Sequence, residues 1–163
     1  MKAAIVTRHG GPEVLQIAEV PDPVAAPDEV VVDINVASVN AADGKKRAGG
    51  GTYAIQHFPH ILGRDFSGVV SAVGPGVTDL AVGDAVFGVT LQSREGAYAE
   101  KIAIPAAIVA KKPATLGDAE AAALALTGLT ALWSIEDTAK LKRGETILIQ
   151  GGAGGVASVA IQL

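Results

Sequence analysis

Between Ile147 and Ala157 the chain reads I-L-I-Q-G-G-A-G-G-V-A. Taken as G-x-G-x-x-A, the pattern falls on Gly152, Gly154 and Ala157, the Ala-ended form of a dinucleotide fingerprint. The first glycine permits a tight turn, the second lets a diphosphate approach the backbone, and the small third residue lets a helix lie close to a strand. The apolar run at 146–149 predicts a parallel strand buried on both faces, and residues 156–163 predict a helix. The first amides of such a helix and its positive dipole end suit an anion. Gly152, Gly154, Gly155 and Val156 are therefore candidate cofactor-binding positions through their backbone. The same residues would equally make a glycine-rich corner that binds nothing.

Only nineteen residues follow Gly144. A strand–helix–strand unit takes roughly 30 or more, so the chain is expected to carry just the start of a dinucleotide domain. The residue that would choose between NAD and NADP, about 20 positions past the glycines, is not in it.

The elements that must position this turn follow from composition and pattern. With 49% hydrophobic and 18% charged residues among 163, the chain is globular, and 4% aromatics leave its core to Val, Ile, Leu and Ala. Net charge is −4 with no long basic block, which argues against nucleic-acid binding. No Cys is present, so disulfides and thiolate zinc sites are excluded. No run approaches the roughly 20 apolar residues of a membrane span, and residues 1–10 lack a signal peptide's pattern. A cytoplasmic location and no membrane partner are the expectation.

Strands are predicted at 2–7, 14–20, 29–39, 66–73, 85–89, 97–104 and 108–111, separated by Gly and Pro turns, which suggests a small barrel or sandwich. Residues 40–48 suit one or two helical turns. Thr115 to Asp118 has capping-box spacing, and 118–137 predicts a helix that Gly128 could split, with Leu132 and Trp133 as core. Asp84 reads as a turn residue. His9, His57 and His60 show no ligand spacing and read as loop residues.

Seven stretches carry a family resemblance in order: M-K-A-A-I with G-G-P-E-V-L; V-N-A-A-D at 39–43; F-P-H-I-L-G-R-D-F-S-G-V-V at 58–70; V-G-D-A-V-F-G at 82–88; G-A-Y-A-E at 96–100; L-T-G-L-T-A-L at 126–132; and the glycine-rich turn. Together they resemble the N-terminal half of a medium-chain dehydrogenase/reductase, in its zinc-free quinone oxidoreductase (zeta-crystallin-like) branch. The fold implied is mainly β, a GroES-like, partly open barrel over residues 1–122. Residues 123–163 would follow as a helix and the first strand, turn and helix of a truncated Rossmann α/β domain.

The resemblance implies an NADPH-dependent enzyme, with NADH possible, that passes hydride to a quinone or enone substrate and forms a homo-oligomer. Zinc-dependent relatives carry a Cys near 40–43 and Gly-His-Glu where this chain has Gly63-Arg64-Asp65, so no zinc is expected. Asn40 matches a residue at the nicotinamide or substrate cleft; a turn Asn bonding its own backbone is the alternative. Thr127 matches a residue on the nicotinamide side, or is an ordinary helix Thr. Tyr53 is a candidate catalytic proton or hydrogen-bond donor, or a surface Tyr. Arg64 and Asp65 would pair to frame the cleft or lock the loop before the strand. Two other readings stand beside this one: a non-enzymatic GroES-like module or truncated product, and an alcohol dehydrogenase-like enzyme.

Overall fold

The structure, a computed structural model, describes residues 1–50 and 54–163. Alternating apolar residues build two antiparallel sheets. In the smaller one, β1 (Lys2–Val6) lies between β2 (Leu15–Glu19) and the short β4 (His60–Ile61). The larger has the order β7-β3-β5-β6-β8, from β3 (Glu29–Ala37), β5 (Asp65–Val73), β6 (Ala85–Val89), β7 (Lys101–Pro105) and β8 (Val109–Lys111). An Ala3–Ala99 bridge joins the sheets, reinforced where the Ala4 amide donates to the Tyr98 carbonyl at 2.8 Å. This is a mainly β, partly open barrel of the GroES-like kind.

Inward positions close the core. Val30, Val32, Phe66, Val70, Val86 and Ile104 are almost fully buried, and Phe66 alone stabilises by about 2–3 kcal/mol on burial. A second cluster of Val6, Val14, Ile55 and Leu62 lies under the smaller sheet. Gly68 is required because a Cβ there would strike the Asp33 carbonyl of the neighbouring strand.

Among the described residues there are three α-helices: α1 (Ala41–Arg47), α2 (Asp118–Trp133) and α3 (Gly155–Ala160). Helix α2 is not split at Gly128, and a π turn, Ser134–Thr138, continues it. Its N-cap is Gly117, with no side-chain cap, so the Thr115–Asp118 capping box does not form. Asp118 works in tertiary contacts instead. Its carboxylate accepts from Asn35 Nδ2 at 2.8 Å, and its carbonyl accepts from Ser67 Oγ at 2.7 Å. Those bonds moor the helix to β3 and β5, with Ala121, Ala122 and Ala125 buried against the sheet. The expected boundary at 122/123 therefore falls inside one unbroken helix.

Leu132 and Trp133 are not core. They are 38% and 64% exposed, on a face of α2 that runs past the sheet. Residues 146–150 do not form the expected strand; Leu148 is 84% exposed. A parallel strand exists only by pairing, and among the described residues nothing pairs with it. Among the described residues no helix is long and apolar enough to cross a membrane.

Candidate functional site

The V-N-A-A-D segment folds as a helix start. Asn40 is the N-cap of α1, with extended backbone at φ −113°. Asp43 Oδ2 accepts from the Asn40 amide at 2.8 Å, the reciprocal half of a capping box with Asp at the third position. Lys45, Lys46 and Arg47 in the last turn suit the helix's negative end. The sequence reading missed this box, although Asn40-x-x-Asp43 carries its spacing.

The Asn40 side chain is tied to the barrel. Its Nδ2 donates to Asp65 Oδ1 at 2.7 Å, with Ser38 Oγ at 3.4 Å. Asp65 is fully buried at the start of β5, and its second oxygen, Oδ2, has no hydrogen-bond partner. Burial pushes its carboxyl above the ordinary Asp range; Ser38, Asn40 and the Leu126 backbone pull the other way without winning. The expected Arg64–Asp65 pairing does not occur. Arg64 Nη2 donates instead to the Thr90 carbonyl at 2.8 Å, locking the loop end to the rung beyond β6.

That burial yields a pH prediction. A carboxyl raised in the folded state makes the fold less stable as pH climbs from the unfolded value, near 3.8, through the folded one. Asp65→Asn keeps an acceptor for Asn40 and cannot ionise. Its stability relative to the parent is therefore expected to rise across that window and level off above it, in urea melts at stepped pH. A difference that stays flat with pH contradicts the burial argument.

Tyr98 closes the far side. Its hydroxyl donates to Asp43 Oδ2 at 2.7 Å. Burial, then the Asp43 bond and charge, hold the phenol well above its usual range, so it remains a donor. Nearby, Glu95 has a side chain 4% exposed, with Lys46 Nζ at 2.9 Å and His60 Nε2 at 3.3 Å. Burial alone would raise its carboxyl, but the His60 and Lys46 bonds outweigh it and hold the group below the ordinary range. His60 thus belongs to β4 and an ionic cluster, not to a loop. Asp84 is a turn residue, accepting from the Ala81 amide at 2.9 Å.

The second half of the site is helical. Thr127 Oγ1 donates to the Ala123 carbonyl at 2.7 Å, an ordinary helix back-bond. Its methyl faces α3: a Cβ on Gly155 would lie 3.2 Å from Thr127 Cγ2. The glycine-rich turn and the L-T-G-L-T segment, distant in sequence, therefore meet. In the turn Gly151 takes φ +72°, the left-handed region that favours glycine, and the Gly154 amide donates to the Gly151 carbonyl at 2.8 Å. Among the described residues the Gly155 and Val156 amides have no backbone acceptor, as in any first helical turn. Gly152 is partly covered, with Ile161 Cδ1 3.0 Å from where its Cβ would be. The turn has the open amides and small residues a diphosphate needs. Tyr53 lies outside the described residues.

The donor set does not fit a catalytic zinc. Arg64 carries a guanidinium, which has no lone pair to give. Asp65 Oδ1 is committed to Asn40 and His60 to Glu95. Among the described residues no three His, Cys, Asp or Glu side chains gather.

The antiparallel GroES-like body ends in helices and a glycine-rich turn. The alcohol dehydrogenase GroES-like domain family matches residues 26–114. A zinc-type alcohol dehydrogenase-like protein of Staphylococcus aureus is 39% identical over 142 residues, covering 83% of this chain and 41% of that protein. The crystal structure of an alcohol dehydrogenase superfamily protein from Novosphingobium aromaticivorans superposes with a TM-score of 0.93 at 43% identity, covering 99% of this chain and 49% of that one. Escherichia coli quinone oxidoreductase complexed with NADPH gives 0.89 at 34% identity, covering 99% and 48%. The chain belongs to the medium-chain dehydrogenase/reductase family, with quinone oxidoreductases among its structural neighbours. It spans 41% of the Staphylococcus aureus relative and about half of each matched structure.

Proposed function

We propose that the protein carrying this chain is an NADPH-dependent oxidoreductase that delivers hydride to a quinone or an α,β-unsaturated carbonyl, without a metal. The observation that carries the reading is the side chain at position 64. A guanidinium bonded to the Thr90 carbonyl occupies the position at which the resemblance implies a metal-binding imidazole in zinc-dependent relatives. Without a Lewis acid to polarise an alcohol, the chemistry that remains is hydride delivery to an acceptor already electron-poor.

NADPH, with NADH as the less favoured cofactor, would supply the hydride. The chain's own residues would bind and orient it. The Gly155 and Val156 amides, on a turn kept small by Gly152 and Gly154, suit the diphosphate. Thr127 would line the approach to that turn, and Asn40 would face the nicotinamide from the barrel. Tyr53 is retained as a candidate proton donor to the acceptor oxygen. Catalysis here is mostly alignment and exclusion of water. The division into a GroES-like part, residues 1–122, and the start of a nucleotide-binding part, residues 123–163, is proposed with it, α2 serving as the shared strut.

An alcohol dehydrogenase-like activity is the second reading, favoured by the name of the Staphylococcus aureus relative and opposed by the donor set above. The test titrates NADPH into the 163-residue chain and into the full-length gene product, then follows NADPH oxidation with 1,4-benzoquinone. Turnover by the longer protein alone is expected. No turnover by either would favour a non-enzymatic module, and zinc-dependent oxidation of a simple alcohol would favour the second reading.

A further inference from the structure

Asn40 is gripped from two directions. On the backbone side, Asp43 Oδ2 receives both the Asn40 amide, at 2.8 Å, and the Tyr98 hydroxyl, at 2.7 Å. On the side-chain side, buried Asp65 Oδ1 accepts from Asn40 Nδ2 at 2.7 Å. Tyr98 in turn is seated against Gly63, whose φ of +97° leaves no room for a Cβ beside the ring. Helix α1 therefore starts at a fixed place relative to β5 and to the segment before β7.

We propose that Tyr98 and Asp65 are positioning residues: Tyr98 through Asp43, and Asp65 directly, they hold Asn40 in one orientation at the cofactor side of the cleft. The inference rests on the reading of Asn40 as a cleft residue. Two features of the geometry support it. A carboxamide has two chemically different ends, and Asp65 accepts only from the amide end, so it prevents the side chain from turning over. The Tyr98 phenol stays protonated, so the Asp43 carboxylate always has its second donor.

The test is a double-mutant cycle on the full-length gene product with Asn40→Ala, Tyr98→Phe and the pair. Asn40→Ala is expected to lower kcat/KM for NADPH-dependent benzoquinone reduction by roughly 30-fold. Tyr98→Phe is expected to lower it about tenfold when Asn40 is present and less than twofold in the Asn40→Ala background. Amide hydrogen exchange supplies a readout apart from turnover. The Asn40 amide should exchange about tenfold faster in Tyr98→Phe, with Phe66 and Val70 unchanged. Asp65→Ala should repeat the kinetic pattern, and Asp65→Asn, whose amide can bond either end of the Asn40 carboxamide, should restore less than half of it.

Equal Tyr98→Phe effects in both backgrounds, or unchanged Asn40 exchange, would overturn the clamp while leaving the proposed function standing. A harmless Asn40→Ala would remove Asn40 from the cleft, and the clamp with it. Loss of turnover by the parent protein itself would instead count against the proposed function.

Discussion

Gly63→Ala is expected to destabilise the fold by about 3–5 kcal/mol, the sum of left-handed backbone strain and overpacking. Gly63 has φ +97°, and its missing Cβ would enter the Tyr98 ring and come 2.8 Å from the Tyr98 backbone N. The ring cannot withdraw freely, because its hydroxyl is bonded to Asp43 and the Tyr98 amide donates to the Leu62 carbonyl at 2.9 Å. The Gly63 carbonyl also receives the Gly96 and Ala97 amides, each at 3.1 Å. One methyl group thus strains a corner where three segments meet. Against typical domain stabilities of roughly 5–15 kcal/mol, the loss should appear as a fall in Tm of roughly 10 °C. A drop under about 1 kcal/mol in urea denaturation would show that the corner relaxes at little cost and that Gly63 is not its keystone.

The second large effect concerns the cofactor. Gly155→Val places a branched side chain at the first position of α3, where the backbone is helical and tolerates it. The obstacle is tertiary: the Cβ alone would stand 3.2 Å from Thr127 Cγ2. Helix α3 must then move off α2, carrying the Gly155 and Val156 amides with it. NADPH affinity is expected to fall about 100-fold, equivalent to ~2.7 kcal/mol, while the barrel's stability changes little because α3 buries no residue fully. Gly44→Ala is the matched control. A Cβ there meets nothing within 4 Å, and alanine favours helix by roughly 0.5–1 kcal/mol, so affinity should be unchanged. Fluorescence titration of NADPH into the full-length protein reads both. Equal affinity of Gly155→Val and parent would detach the turn from the cofactor.

Much of the β body was legible because local pattern decides it. Alternation and Gly or Pro punctuation locate β1, β3, β5, β6 and α1 within a few residues. β4 was missed, since two residues carry no period. The strand expected at 146–150 was misplaced for a different reason: its apolar run is a correct signal for a buried parallel strand, but a strand is a property of its neighbours. The same holds for Trp133. Hydrophobicity says that it should be covered, yet only the path of α2 past the sheet decides whether this chain covers it.

At the site, the sequence could nominate Asn40, Thr127 and the glycine turn one at a time. It could not show that Thr127 lies against Gly155, or that Asp65 turns from Arg64 to hold Asn40. Those pairings join residues 25 or more positions apart; the first depends on how α2 and α3 pack, the second on where β5 begins relative to α1. The Asn40–Asp43 box was within reach, because its spacing is local. The Lys46–Glu95–His60 cluster was not, because it assembles from α1, β4 and the segment before β7.

The central claim is hydride transfer by a protein whose residue 64 cannot bind a metal. The most direct measurement is NADPH-dependent benzoquinone turnover by the full-length gene product before and after exhaustive chelation, with metal content determined on the same samples. Unchanged turnover and far less than one metal ion per chain are expected. Turnover that disappears on chelation and returns with added zinc would contradict that claim.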